Sequence, residues 1–506
     1  MATGLKFNDY NDDNVFSDFA GRTMFVQSLQ EGWSSMTGAS SINHRVTWLL
    51  LAMLIPGVAW SQEFGERSIR VGSAMGYRMD DQDHPGHQEH LEHHFGDNLH
   101  GDYEPHDMIV GCTTGACGPC GVSCQEPCCV GPVGSIWVHG EYLMWWAKGM
   151  ETPPLVTAGP TGTLDDNRTI VLFGDDDLLG QMRSGFRVRL GTWLDYSQRW
   201  ALEGEYWRLG GVSESFVAAS DMLGNPTIYR PFFNVNPRGA DGQFDPPARQ
   251  DVQLVSHPGV LAGSVRVQSS SQLQGSGIWL RRNLCCDMTA VIDCDPCFDP
   301  GSGPFGHRFD FLIGYRYARL SDRLTIREDL TSLRGEPFQG NFDLLDSFAS
   351  SNDFHGAELG WLGEFDYGRW SLELLGRLAL GGVRQQVTIA GQTIISGSVS
   401  DGTYEGGLLA QRTNSGTHSR NEFAFMPQLG ATVGYRLTPR LQATVGYSLL
   451  YLSRVVRAGE HIDLDVNPDL LAPETTPLAG ALRPDFQFRD SDFWAQGMNF
   501  GLHFAW

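Results

Sequence analysis

The sequence predicts an all-β protein: a closed antiparallel up-and-down transmembrane β-barrel of about twelve strands, preceded by a disordered N-terminal leader. Three observations predict this fold class. From residue 135 onward, apolar and polar residues alternate with the period of two that strands have. Tight turns and long polar stretches also alternate along the chain, which is typical of outer-membrane barrels. Finally, the alternation continues to the last residue, with one face formed by Met498, Phe500, Leu502, Phe504 and Trp506.

Composition agrees with this fold class and excludes others. The 506 residues contain 36 Lys and Arg against 59 Asp and Glu, a net charge of −23, which argues against nucleic acid as a partner. Hydrophobic residues make up 41% and the mean hydropathy is −0.23, which excludes a multi-helix membrane protein. The 61 glycines and 11% aromatic residues favour a chain rich in strands and turns.

Residues 1–61 are predicted to be a leader containing a signal peptide. Its hydrophobic region, residues 46–60, is too short to span a bilayer comfortably and is followed by Ala59-Trp60-Ser61, a cleavage-type sequence. Because 35 residues precede Met36, translation starting at Met36 and an extended leader are both open. A buried core helix is the alternative interpretation.

Residues 62–134 form a His-rich and Cys-rich segment that we expect to be disordered and periplasmic. It holds few aliphatic residues and therefore cannot bury enough apolar surface to offset chain entropy. Seven of the 15 histidines lie in it: His84, His87, His90, His93, His94, His100 and His106.

The ten cysteines form two tight clusters, which in an exported protein predicts disulfides within or between clusters or between chains. Zinc or copper binding is the alternative, because Cys117-x-x-Cys120 and Cys294-x-x-Cys297 have metal-ligand spacing. We predict disulfides and neither a metal site nor a cofactor. The disulfide candidates are Cys112, Cys117, Cys120, Cys124, Cys128, Cys129, Cys285, Cys286, Cys294 and Cys297.

Residues 135–506 are predicted to form the outer-membrane β-barrel, with ten and fourteen strands as the alternatives to twelve. Short turns are expected at Asp195–Gln198, Ser321–Arg323, Asp366–Arg369 and Leu437–Arg440. A further turn is expected at Ser269–Ser271, and the alternatives of ten and fourteen strands depend on it. External loops are expected at 148–181, 211–260, 285–306, 331–353, 382–420 and 455–491. The predicted strands are 136–147, 182–195, 199–210, 261–269, 273–284, 307–320, 323–330, 354–366, 369–381, 421–437, 440–454 and 492–506.

Charged residues opposite the apolar face are the candidates for the barrel lumen. They could line a polar channel, or they could pair with one another and fill the interior. The pore-lining candidates are Arg187, Arg189, Glu203, Glu205, Asp310, Arg316, Glu358, Glu373, Arg377 and Arg436.

The region from about Gly134 to Trp506 resembles the planctomycete-type putative beta-barrel porin family. This resemblance implies an outer-membrane barrel and supplies no catalytic residues. The segments on which it rests are Glu141–Trp146, Pro153–Thr157, Val171–Gly174, Arg230–Phe233, Gly314–Tyr317, Gly406–Ala410, Met426–Pro427, Asp463–Pro468 and Phe493–Gly501.

Three functions are compatible with the sequence. The first is a porin-like passive channel for small polar solutes. The second is a plugged structural or cell-surface interaction barrel, cross-linked through its cysteine clusters. In this second case we expect Cys285–Cys297 in an external loop, on the opposite side of the membrane from the leader. The third, a barrel hydrolase using the segment Asn414–Ser419, is disfavoured because sequence neighbours seldom form a catalytic triad.

Several further expectations accompany these functions. We expect no enzymatic activity. Calcium binding by Asp463, Asp465 and Asn467 is disfavoured, because three oxygens fall short of the usual ligand number. The expected location is the bacterial outer membrane, with the N-terminal segment in the periplasm. Expected partners are outer-membrane lipid, a second copy of the chain, and a wall or periplasmic component bound by the leader.

Overall fold

The computed structural model describes residues 134–238, 243–288, 305–335, 339–398, 400–474 and 478–506, without the side chains of 286–288. The signal peptide and the His-rich segment lie outside the described residues. So do the side chains of nine of the ten cysteines, so the disulfides stay a prediction.

The described residues form nineteen strands and two short 3₁₀ turns, Gly459–His461 and Pro468–Leu470. Among them, no helix is long and apolar enough to cross a membrane. The strands are β1 Ile136–Ala147, β2 Met150–Thr152, β3 Val156–Ala158, β4 Ile170–Phe173, β5 Asp176–Leu178, β6 Arg183–Trp193, β7 Trp200–Leu209, β8 Val212–Ala219, β9 Ile228–Asn234, β10 Arg249–Ser256, β11 Leu261–Met288, β12 Phe305–Ser332, β13 Asn341–Tyr367, β14 Trp370–Ser396, β15 Gly402–Glu405, β16 Gly416–Arg436, β17 Leu441–Val455, β18 Asp465–Val466 and β19 Ser491–Ala505.

Ten of these strands pair antiparallel in a ring, in the order β1, β6, β7, β11, β12, β13, β14, β16, β17, β19. The pairing of β19 with β1 joins the two ends, with Trp137 opposite Ala505 and Ala147 opposite Ala495. Each strand of the ring therefore has two hydrogen-bonded neighbours, and the predicted antiparallel order is confirmed.

The ring has ten strands, the lower of the alternatives to twelve, and β8 and β15 pair with it to give a sheet of twelve. Ser269–Ser271 and Ser321–Arg323 are not turns. They lie inside the 28-residue strands β11 and β12, where Ser270 is opposite Arg323. Their polarity resembled that of turns, but here it reflects strand segments whose outer face is polar. The other three predicted turns, near residues 195–199, 366–370 and 436–441, connect β6 to β7, β13 to β14 and β16 to β17.

The external loop predicted at residues 285–306 begins and ends at the same end of the ring as the short turns. Arg282 of β11 is opposite Trp200 of β7, next to the 195–199 turn. The end of β11 and the start of β12 therefore lie at the rim with the short turns, here called the turn rim, and the opposite end is the loop rim. Cys285 is therefore at the turn rim, where Ser135 also donates its N–H to the Trp506 carbonyl at 3.0 Å. Cys285 therefore lies at the same end of the ring as Ser135, whereas Cys294 and Cys297 lie outside the described residues and their position stays a prediction.

Side-chain polarity inverts along the long strands. On β12 the outward residues change from Phe309, Ile313 and Tyr315 near the turn rim to Arg319 and Arg323 above them. The inward residues change in the opposite sense, from Arg308, Asp310 and Arg316 to Leu320, Leu324 and Ile326. An apolar exterior suits a bilayer, whereas a polar exterior over an apolar core suits water.

The water-suited part, here called the head, comprises strand segments 261–272, 319–332, 341–353 and 383–396 and the chain packed inside them. Val265, Leu324, Phe348 and Val387 project inward from the four strands. Segments of the long connections fill the space between them. Their buried residues are Met150, Leu155, Val156, Leu178, Leu179, Ile228, Phe232, Val255, Leu408, Leu409, Ala410, Val456, Ala458, Ile462 and Val466.

Candidate functional site

All ten predicted pore-lining residues project into the ring, as the alternation indicated. Eight of them are buried, and Glu373 and Arg436 are partly exposed. The structure brings nine of them into two ionic clusters, and Arg436 pairs separately with Asp366 close to the turn rim. The side chains of these residues therefore lie inside the ring, and that they line a water-filled pore stays a prediction.

The first ionic cluster lies on β1, β6 and β14. Arg187 donates to both carboxylate oxygens of Glu141, at 2.5 and 2.8 Å. Arg189 donates to Glu373 at 3.0 Å and lies 2.6 Å from Nδ1 of His139. Two arginines and two carboxylates thus neutralise one another across strands that are far apart in sequence.

The second ionic cluster crosses the middle of the ring. Arg316 donates to Glu205 at 2.9 Å, and Arg377 contacts both Glu205 at 3.5 Å and Glu203 at 3.4 Å. Glu358 lies 3.6 Å from Arg377. These residues come from β7, β12, β13 and β14, so their side chains meet across the lumen rather than along its wall.

Towards the turn rim the second cluster continues through Arg281. Its guanidinium pairs with Asp310, with Glu364 at 2.9 Å and with Glu203 at 3.7 Å. Arg308 bonds the same Glu364 at 2.5 Å. The two clusters and the Arg436–Asp366 pair together contain seven arginines and eight carboxylates, so the interior is close to neutral.

Aromatic rings cover the guanidinium groups. Arg377 lies 4.0 Å above the Trp279 ring, and Arg316 lies 5.8 Å from Trp207. Such contacts are most favourable where water is excluded. Gly275 permits the close packing of Trp207, because a Cβ there would lie 2.6 Å from the indole ring.

An apolar layer lies inside the ring, between the ionic clusters and the head. Trp145, Phe354, Met426 and Phe493 are buried in it and project from four different strands. Leu143, Leu209, Leu273, Leu320, Val383, Leu450 and Leu452 complete the layer. Hydrated ions and polar solutes would have to displace this layer to cross the ring.

Buried polar residues hold the long connections inside the head. Arg230 of β9 pairs with Glu328 and, at 2.9 Å, with Asp346. Burial raises the pKa of the Glu328 carboxyl, and the charge of Arg230 opposes that shift. Arg457 donates to Asp322 at 2.5 Å and to the Gly149 carbonyl at 2.9 Å.

Five charged residues of the ionic clusters and of the Arg436 pair escaped prediction: Glu141, Arg281, Arg308, Glu364 and Asp366. Each lies on the inward parity of its strand, which is the signal that could have found it. Glu141 was obscured because its inward neighbours Leu143 and Trp145 are apolar, so both faces of β1 appear apolar.

The disfavoured alternatives have structural roles. Asn414 closes a local turn by accepting from the Gln411 N–H at 2.8 Å, and His418 stacks on Phe486 at 3.7 Å. Asp463 accepts from Arg483 at 3.1 Å and from the Asp485 N–H at 2.9 Å. Within the described ranges, no group of three His, Cys, Asp or Glu side chains is placed to hold a metal ion.

Comparison with solved structures gives weak similarity to outer-membrane proteins. The outer membrane protease OmpT from Escherichia coli matches with a TM-score of 0.32 and 9% identity, over 74% of this chain and 97% of that one. A Pseudomonas aeruginosa FadL homologue has a TM-score of 0.16 and 9% identity, over 73% and 89%. The P. putida toluene transporter TodX has a TM-score of 0.12 and 9% identity, over 74% and 89%. Similarity this low supports no functional argument.

The comparison with protein families, unlike the comparison with solved structures, shows which family the chain belongs to. No curated protein matches the chain. Residues 137–506 match the family described as Putative beta barrel porin-7, a range that covers the whole ring and the head. The resemblance inferred from the sequence is confirmed, and the chain belongs to the Putative beta barrel porin-7 family.

Proposed function

We propose that the protein is an outer-membrane β-barrel with a closed lumen, acting as a structural or interaction protein of the cell surface. The observation that supports this proposal is the filled interior, with its ionic clusters, the apolar layer and the packed head in series. In this proposal the protein is not an enzyme.

A permanent passage for solutes through the ring would require separating the ion pairs and the apolar side chains that fill it. Arg316 is fully buried, and its side chain has Glu205 as an ion-pair partner that is equally buried. Removing one partner of a buried ion pair costs about 3–5 kcal/mol. Thermal fluctuation therefore opens such a layer rarely, and steady diffusion of solutes is not expected.

In the membrane, the turn rim faces the periplasm and the loop rim faces the exterior, as in bacterial barrels generally. The leader then enters from the periplasmic side, where Cys285 also lies. In this proposal the remaining cysteines of the two clusters form disulfides with each other or with periplasmic or wall components. A second copy of the chain is the other partner class.

A passive channel for small polar solutes is the second candidate, favoured by the word porin in the description of the family. Conduction would require that the ionic clusters and the apolar layer move together. Arg187 and Arg189 would then border the path.

Single-channel recording in a planar bilayer separates the two functions. We expect no conductance from native protein that migrates as a folded band without heating. Reproducible steps with a reversal potential in a salt gradient would contradict the closed barrel. In that case Arg187→Ser with Arg189→Ser should shift the reversal potential, because two lumen cations are lost.

A further inference from the structure

A polar concavity of about 490 Å³ lies on the outside of the head, across β11, β12, β13 and β14. Its floor is made of small residues of three neighbouring strands, Ser270, Ser321, Ala349 and Ser351, of which Ser321 and Ser351 are directly opposite each other. Longer polar side chains surround the floor, namely Gln272, Arg319, Arg323, Gln386 and Thr388. The ionic clusters of the interior do not use any of these side chains.

The concavity lies directly above the apolar exterior of the ring. Tyr315 and Tyr317 precede Arg319 on the same outward face of β12, and Tyr317 donates to Asp353 at 2.9 Å. Arg319 is two residues beyond Tyr317, a rise of about 7 Å along the strand. Aromatic residues mark the membrane interface in such barrels. The concavity is therefore at the level of lipid headgroups.

Positive charge is concentrated here, although the chain as a whole carries −23. Arg319 and Arg323 are exposed, and Arg384 lies beside them, opposite Asp353 in the register. Asp353 is 3.6 Å from Arg319. Among the described residues, no carboxylate is within ion-pair distance of Arg323. Arg319 and Arg323 thus line the concavity, and the one carboxylate among its lining residues, Asp322, points inward and pairs with Arg457.

We propose that this concavity binds the phosphorylated sugar headgroup of an outer-leaflet glycolipid. The guanidiniums match phosphate oxygens, and the serine, threonine and glutamine side chains match sugar hydroxyls. The acyl chains then lie against the exposed Ile313, Leu359 and Leu380 on the same strands. This inference depends on the membrane placement given under the proposed function, but it does not depend on whether the lumen is closed.

The test uses the full chain in phosphatidylcholine nanodiscs, with native mass spectrometry of bound bisphosphorylated disaccharide lipid. Arg319→Gln with Arg323→Gln should weaken binding by roughly tenfold or more, since charge-assisted hydrogen bonds are lost. Arg369→Gln with Arg440→Gln removes the same charge at the turn rim and should leave binding unchanged.

Three outcomes would overturn the inference. These are equal binding by the Arg319/Arg323 variant, equal binding of the dephosphorylated lipid, and equally strong binding of inorganic phosphate, which would indicate a free-anion site. A chain that fails to enter nanodiscs would instead contradict the membrane placement. Conductance would contradict only the closed lumen, so failure of each proposal is recognisable separately.

Discussion

At the scale of single residues, buried polar side chains decide where the long connections lie. Asn352 of β13 accepts from the Val456 N–H and donates to the Val456 carbonyl, both at 2.8 Å. Asp346 accepts from the backbone N–H groups of Leu409 and Ala410, at 3.1 and 2.9 Å. Each side chain replaces water for backbone groups that are buried in the head, so the connections fold inward rather than extend into solvent.

Asn352→Ala should loosen the segment around Val456. The substitution leaves a buried N–H and a buried carbonyl unpaired, at a cost of about 1–3 kcal/mol for each group. We expect faster amide hydrogen exchange in residues 455–462, with the ring strands unchanged. Asn341→Ala is the control, because Asn341 is exposed and accepts only from the Thr331 hydroxyl among the described residues. Unchanged exchange at Val456 would contradict this role of Asn352.

At the scale of elements, the lengths of β11 and β12 show where composition and alternation stop predicting the ends of a strand. Both strands keep a constant inward parity through Ser269–Ser271 and Ser321–Arg323, and Asp322 points inward to Arg457. A run of serines resembles a turn by composition. Above the membrane, however, the outward face must be polar, so composition stops distinguishing a strand from a turn there.

Ser270→Pro tests whether β11 is continuous. Ser270 lies between Arg323 of β12 and Ser213 of β8, so proline would remove a backbone donor from a strand paired on both sides. We expect a lower urea midpoint, corresponding to about 1–3 kcal/mol for an unpaired buried carbonyl. Tyr196→Pro is the matched control, since Tyr196 is exposed at the second position of the 195–198 turn. Equal tolerance of both substitutions would favour a turn at residue 270.

At the scale of the whole molecule, the ring has two rims of different character. Short turns and the point where residue 134 enters share one rim, and the packed head occupies the other. Because β11 ends beside Trp200, the connection from residue 289 to 304 begins at the turn rim, however long it is. Loop length suggested the opposite side, but the direction of the strand decides it.

Epitope insertion tests this topology. A tag after Gly335 should be labelled on intact cells, because it follows β12 at the loop rim. A tag after Gly368, in the β13–β14 turn, and a tag between residues 289 and 304 should both need permeabilised cells. Labelling of the 289–304 tag on intact cells would show that this connection faces outward and would separate the two cysteine clusters.

The sequence by itself determined the strand class, the alternation of two faces along the strands of the ring and three of the short turns. These features depend on residues that are close together in one strand, and the period of two is enough to predict them. The ten lumen candidates, including Arg187 and Glu205, lie on the inner face of their strands in the structure.

Only the tertiary structure decided what those inward charges do. Arg187 meets Glu141 from 46 residues away, and Arg189 meets Glu373 from 184 residues away. The sequence contains no local sign of these partners, because they are set by strand order and register around the ring. The same non-local pairing fixed ten strands rather than twelve and placed Cys285 at the turn rim. Alternation in the sequence predicts the two faces of each strand separately, whereas closure of the ring sets the register of all ten strands together.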